Sequence, residues 1–182
     1  MTTVCVFGGA RSGHDPVFAA AAGELGRVLA ARGDVLVFGG GRTGMMGHLA
    51  DSAIAGGAHV IGVVPAFLDH PDIVHDALGA KVVVGDLFER KARMMELADV
   101  FVAMPGGLGT FDELLEVVTW RQLRQTNGPA GLFDVDGFFT PFLHTLETIA
   151  EAGFANLSDI KALHRHNDPA TLLDALAADR EC

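Results

Sequence analysis

The residues best placed to do chemistry are Pro105-Gly106-Gly107-Leu108-Gly109-Thr110-Phe111-Asp112-Glu113, directly after the apolar run Val100 to Met104. They read as a buried strand that ends in a glycine-rich turn and opens into a helix. Gly106, Gly107 and Gly109 let the backbone approach a ligand closely. Free N–H groups at the start of the helix then point at whatever occupies the turn, which favours an anion such as phosphate. Three residues past Thr110, Glu113 sets a carboxylate beside that anion site. A phosphate cradle with an acid next to it suits an enzyme acting on a phosphorylated small molecule. The same segment has a structural reading. Thr110-Phe111-Asp112-Glu113 is also a capping box, in which the Thr and Glu side chains satisfy the first N–H groups of a helix. Asp112 favours the helix dipole in either case.

Other segments offer further candidates. Glu89-Arg90-Lys91-Ala92-Arg93-Met94-Met95-Glu96 starts another helix, with Arg90 and Arg93 on a shared face. Such charge clusters are usually solvated faces, but lysine occurs only at 81, 91 and 161, so a cation run here is locally unusual. Gly39-Gly40-Gly41-Arg42-Thr43-Gly44-Met45-Met46-Gly47 is a second glycine turn, and Gly8-Gly9-Ala10-Arg11-Ser12-Gly13 follows the first strand. Neither carries the dinucleotide fingerprint or a Walker sequence. Together with the Gly106 turn they favour nucleotide binding. His164-Arg165-His166 reads as a surface strand or loop rather than a metal site, and His70 and His75 are weak candidates for touching substrate. No Ser-His-Asp or Cys-His pattern is apparent.

Positioning these residues requires alternating short apolar runs and longer helical stretches. Strands are expected at Thr3 to Phe7, Val35 to Phe38, Val60 to Val64, Ala80 to Val84, Val100 to Met104 and Gly131 to Phe133. Helices are expected at Pro16 to Arg32, within Gly41 to Gly56, and at Leu87 to Leu97, Thr110 to Arg124, Phe138 to Ala152 and Pro169 to Ala178. Ala66 to Gly79 is irregular. Strands that are continuously apolar belong to a sheet covered on both faces. Repeated βα units with right-handed crossovers give an α/β fold: a doubly wound, Rossmann-like parallel sheet with helices on both faces. All three glycine clusters fall at carboxyl ends of strands, where ligands bind in such folds. Residues 1–182 are read as one domain.

Composition narrows the class. Of 182 residues, 49% are hydrophobic and 20% charged, as in a compact folded protein. No apolar run reaches the roughly 18 residues of a membrane span, and the N-terminus lacks signal-peptide character, so a cytoplasmic protein without membrane partners is expected. The net charge of −10 argues against a nucleic-acid polymer but not against a single nucleotide. Cys5 and Cys182 form no disulfide framework and no metal-ligand spacing; Cys5 is most simply a small buried residue.

Taken together, these residues match a known pattern. Residues 105–113 fit the signature PGGxGTxxE, and the chain resembles the LONELY GUY (LOG) family of cytokinin riboside 5′-monophosphate phosphoribohydrolases, long mislabelled lysine decarboxylases. The likeness extends through Val4-Cys5-Val6-Phe7, the Gly39 to Gly47 turn, Glu89-Arg90-Lys91 and Val117-Val118-Thr119-Trp120. It implies hydrolysis of the N-glycosidic bond of an adenine-type nucleoside 5′-monophosphate, as an AMP nucleosidase would do. It assigns Arg90 and Glu113 to catalysis, and Lys91, Gly107, Gly109, Thr110 and Thr119 to substrate binding, with the Gly106 turn holding the phosphate. No metal or cofactor is required. The first turn departs from the family, with Ala10-Arg11 where two serines are usual, and a family binding acid falls near Asp72.

The chemistry agrees with the residues. Breaking an N-glycosidic bond builds positive charge on the ribose, which a fixed carboxylate stabilises. Glu113 is suited to that, or to deprotonating the attacking water. Arg90 stays protonated, so it positions by charge-assisted hydrogen bonds rather than acting as an acid. The rival readings are a non-catalytic nucleotide or cofactor carrier of the same fold, and a decarboxylase needing a lysine Schiff base. A homodimer is also expected: Phe111, Leu114, Leu115, Val117, Val118, Trp120 and Leu123 ring the helix after Thr110, so a second copy would cover what one sheet cannot. The alternative cover is the C-terminal helices of the same chain.

Overall fold

Runs of β-branched and apolar residues build one seven-stranded sheet in the order β4-β3-β2-β1-β5-β6-β7, in which every pairing is parallel. The computed structural model describes residues 1–180, so Cys182 lies outside the described residues. The strands are β1 (Thr3–Phe7), β2 (Val35–Phe38), β3 (Val60–Pro65), β4 (Ala80–Val84), β5 (Val100–Ala103), β6 (Ala130–Phe133) and β7 (His164–His166). The helices are α1 (Pro16–Arg32), α2 (Gly44–Ala55), α3 (Leu87–Leu97), α4 (Leu108–Gln122), α5 (Thr140–Glu151), α6 (Leu157–Lys161) and α7 (Pro169–Arg180).

Helices cover both faces. Val4, Val6, Leu36 and Phe38 pack with residues of α1, α2 and α7 on one side, and Cys5, Phe7, Val37 and Phe101 with residues of α3, α4 and α5 on the other. The alternation along each strand feeds two cores, which is why β5 and β6 are apolar and buried at every position. Burial pushes the Cys5 thiol well above its ordinary pKa, as expected of a small core residue. From β1 the chain winds outward to β4, then returns beside β1 as β5. The switch in direction therefore falls between β1 and β5, where Phe7 is in register with Ala103. No described helix is long and apolar enough to cross a membrane.

Local chemistry sets the helix ends. Asp15 accepts from Val17 N at 2.9 Å to start α1, and Asp86 accepts from Glu89 N at 2.9 Å to start α3. Helix α4 differs. Its N-cap is Gly107, which supplies no side-chain cap. The capping-box reading of Thr110 and Glu113 is therefore overturned: α4 begins at Leu108, so Thr110 is already inside the helix and buried. Glu113 is one turn further in and faces α3 rather than the helix start.

One further element differs from the sequence reading: helix α6 is not among its helices. His164–His166, read as a surface strand or loop, is an edge strand, with His164 Nε2 3.2 Å from Asp179 Oδ2. Helix α4 is also not buried on all sides within one chain. Phe111 packs on Phe138, Phe139 and Phe142 of the C-terminal part, while Leu108, Leu115 and Leu123 are 89%, 42% and 62% exposed.

Candidate active site

A cavity of about 580 Å³ opens at the carboxyl ends of β1 and β5. Its floor is two glycine turns packed backbone to backbone. Gly9 N donates to Pro105 O at 3.2 Å, and a Cβ on Gly106 would stand 2.8 Å from Gly9 N and collide with Thr110 Oγ1. Gly106 is thus required by packing. Gly107 and Gly109 are not: an added Cβ at either would meet no atom within 4 Å, and Gly107 has an ordinary φ of −96°. The space over these two residues, beside an uncapped helix N-terminus, is free for a ligand anion.

Arg90 comes from α3 and Glu113 from α4. Arg90 Nη2 donates to Glu113 Oε1 at 3.2 Å, and the two side chains are only 14% and 12% exposed. Burial pushes the Glu113 carboxyl up to about 7. Arg90 pulls it down, Asp112 raises it, Lys91 lowers it and Glu116 raises it, and burial prevails. Near neutral pH the group thus divides between acid and carboxylate, the range useful to a proton-transfer residue.

Gly39 fixes where the Arg90 guanidinium lies. A Cβ there would collide with Arg90 Nη2 and stand 2.9 Å from Cζ, and no backbone atom is among its near contacts. Gly39 is not among the positive-φ glycines, so its backbone accepts alanine. Gly39→Ala is therefore expected to leave the melting temperature within a few degrees of wild type while turnover falls on the order of tenfold or more, as the guanidinium is pushed off Glu113. Thermal melts and steady-state kinetics on one preparation check this. Unchanged kinetics would show that Arg90 can relocate freely.

The remaining candidates fall into three groups. Thr110 lines the cavity with Gly106, Gly107 and Gly109. Lys91 lies in its wall, but its ammonium is taken up by Asp112 Oδ2 at 3.0 Å and Glu116 Oε2 at 2.6 Å. Burial opposes the charge on Lys91, yet the bonds to Glu116 and Asp112 outweigh it and hold the pKa above its ordinary value. Thr119 does not line the cavity of its own chain. Nine residues of helix place it about 13 Å beyond Thr110, exposed, with its hydroxyl donating to Leu115 O at 2.8 Å.

His70, Asp72 and His75 also stand away from the cavity. Asp72 N donates to His70 Nδ1 at 3.3 Å in an exposed loop. His75 is buried: it accepts from Ala77 N at Nδ1 (3.2 Å), so its Nε2–H donates to Asp51 Oδ1 at 3.0 Å and ties the loop to α2. Sequence reading did not single out the apolar wall formed by Phe18, Met45, Met46 and Phe138. Met45 and Met46 sat inside the quoted glycine turn, but Phe18 and Phe138 carry no local signal.

A family model described as "Possible lysine decarboxylase" matches residues 46–176. A rice (Oryza sativa subsp. japonica) protein named probable cytokinin riboside 5′-monophosphate phosphoribohydrolase LOG4 is 45% identical over 84% of this chain and 66% of its own length. A second rice protein of the same description, LOGL3, is 40% identical over 94% of this chain and 82% of its own. Among solved structures, the molybdenum cofactor carrier protein from Chlamydomonas reinhardtii superposes with a TM-score of 0.75 over 100% of this chain and 99% of its own, at 23% identity. At that identity the likeness speaks for the fold alone.

Proposed function

The chain belongs to the family of cytokinin riboside 5′-monophosphate phosphoribohydrolases, and from that premise we propose that it hydrolyses the N-glycosidic bond of adenine-type nucleoside 5′-monophosphates, AMP included. The products are free base and ribose 5-phosphate. The observation that carries the reading is a buried Arg90–Glu113 pair one helical turn from an open glycine cradle.

The chemistry follows from those positions. The 5′-phosphate sits over Gly107 and Gly109 at the N-terminus of α4, near Thr110, which fixes the sugar next to Glu113. As the C1′–N bond breaks, its electron pair leaves with the base and positive charge develops on the ribose. The Glu113 carboxylate stabilises that charge and takes a proton from the water whose oxygen bonds to C1′. The departing base takes up a proton from solvent at its ring nitrogen, and Glu113 returns the water's proton to solvent, so that one water is consumed in all. Arg90 holds Glu113 and the sugar in line. A lysine Schiff base has no suitable amine in the cavity, because the one lysine there, Lys91, is held as an ammonium by two carboxylates.

We further propose a cytoplasmic homodimer. Leu108, Leu115 and Leu123 leave α4 with an apolar flank that its own chain does not cover. Thr119 stands four residues from Leu115 on the same side, so a second copy seated there would bring it to the partner's site. Sedimentation equilibrium at micromolar concentration should give about twice 19.1 kDa. A mass near that of one chain would contradict the dimer.

The functional test compares AMP with adenosine at equal concentration. AMP should be cleaved and adenosine left essentially intact, since remote phosphate binding positions the sugar. Comparable rates on the two would remove the cradle from the mechanism.

A further inference from the structure

Three basic side chains line the cavity: Arg11, Arg90 and Lys91. Two of them are already committed. The Arg90 guanidinium is on Glu113, and the Lys91 ammonium is on Asp112 and Glu116. Among the described residues, no hydrogen bond or ion pair engages the Arg11 side chain, whereas Arg27, Arg32, Arg42, Arg93, Arg165 and Arg180 all pair with carboxylates. A chain of net charge −10 thus presents one uncommitted cation to this cavity.

Its base is pinned although its head is free. The β1 turn is held by Met46 N donating to Gly9 O at 3.3 Å and by Thr43 Oγ1 donating to Ala10 O at 3.3 Å. A Cβ on Gly44 would collide with the backbone of Ala10 and Arg11, and one on Gly9 would stand 3.3 Å from Gly106 Cα. Arg11 therefore rises from a fixed turn wedged between the other two glycine turns, next to the N-terminus of α4.

We propose that Arg11 is a further ligand-binding residue of this site, donating to the phosphate of a phosphomonoester seated on the Gly106–Gly109 turn. This rests on the function proposed above. The electrostatics favour such a group. Asp112 and Glu113 both border the cavity and repel a phosphate dianion, and the cations that offset them are neutralised by the same carboxylates. Helix N–H groups supply partial charge; Arg11 supplies a full charge and a planar fork that matches phosphate oxygens.

Calorimetric titration with ribose 5-phosphate tests this without turnover, because that ligand has the phosphate and sugar but no glycosidic bond. Arg11→Ala should weaken binding on the order of tenfold and flatten its salt dependence. Arg11→Lys should recover part of the loss. In kinetics with AMP, the loss in kcat/KM should fall mainly on KM. Arg11 is exposed and unpaired, so both variants should melt with wild type. Wild-type affinity within twofold in Arg11→Ala, or a loss carried by kcat alone, would overturn the inference by itself. If wild-type protein binds no ribose 5-phosphate, this inference and the phosphate cradle fall together. If wild type binds it but cleaves no AMP, the proposed reaction fails while the Arg11 comparison still decides its own question.

Discussion

Glu113→Gln is expected to lower AMP cleavage by about 10²- to 10⁴-fold, the range associated with a positioned acid–base group, while the fold survives. The amide keeps an oxygen able to accept from Arg90, so the helix contact is retained, and α4 takes no side-chain cap from Glu113 that could be lost. What disappears is the negative charge. The pH dependence tests the same point. With the carboxyl at about 7, wild-type activity should rise as pH increases through 7 and the carboxylate forms. The stability trend runs the other way. A carboxyl raised above its ordinary value of 4.5 holds its proton more tightly in the folded state, so its contribution is full below about 4.5 and is lost as pH rises through 7. Measured from pH 4.5 to pH 8, the melting temperature of Glu113→Gln should therefore gain on wild type. Turnover near the wild-type rate would make Glu113 structural.

Arg90→Ala should reduce turnover by a comparable factor, and Arg90→Lys should separate its two contributions. Removing the guanidinium takes away the one arginine that lowers the Glu113 pKa, so more of that carboxyl is protonated at neutral pH. The acid limb of the rate profile should then move above 7, with partial recovery of rate at higher pH. Lysine restores a positive charge and should bring the limb back toward its original position. It should not restore the rate, because a point charge lacks the planar fork that fits against Gly39 and reaches Glu113. Full recovery with lysine would show that charge alone matters.

Much of this arrangement is legible in the residues because strand ends and glycine turns are local signals. Val4 to Phe7, Val35 to Phe38 and Val100 to Ala103 are apolar without interruption, and each is followed by a glycine cluster. Hence the parallel sheet and its binding edge follow directly. The α4 start was harder to read: the Thr110–Glu113 spacing imitates a capping box, and only the fold shows Gly107 at the cap and Glu113 turned to Arg90. The segment His164–His166 is too short and polar for sequence to choose between surface strand and loop, and it is a strand because Gly131 to Phe133 offers it a free edge. Lys91 looked available from sequence, but its commitment to Asp112 and Glu116 depends on how α3 meets α4. Arg11 is the converse case: its standing as the uncommitted cation emerges only once the partners of the other two are known.

The most direct test of the central claim is product analysis of AMP incubated with the purified protein. The account predicts free adenine and ribose 5-phosphate in equal amounts, resolved by chromatography, with Glu113→Gln forming both at least about 10²-fold more slowly. Recovery of intact AMP from protein that demonstrably binds it would contradict the claim and identify the site as a nucleotide carrier's.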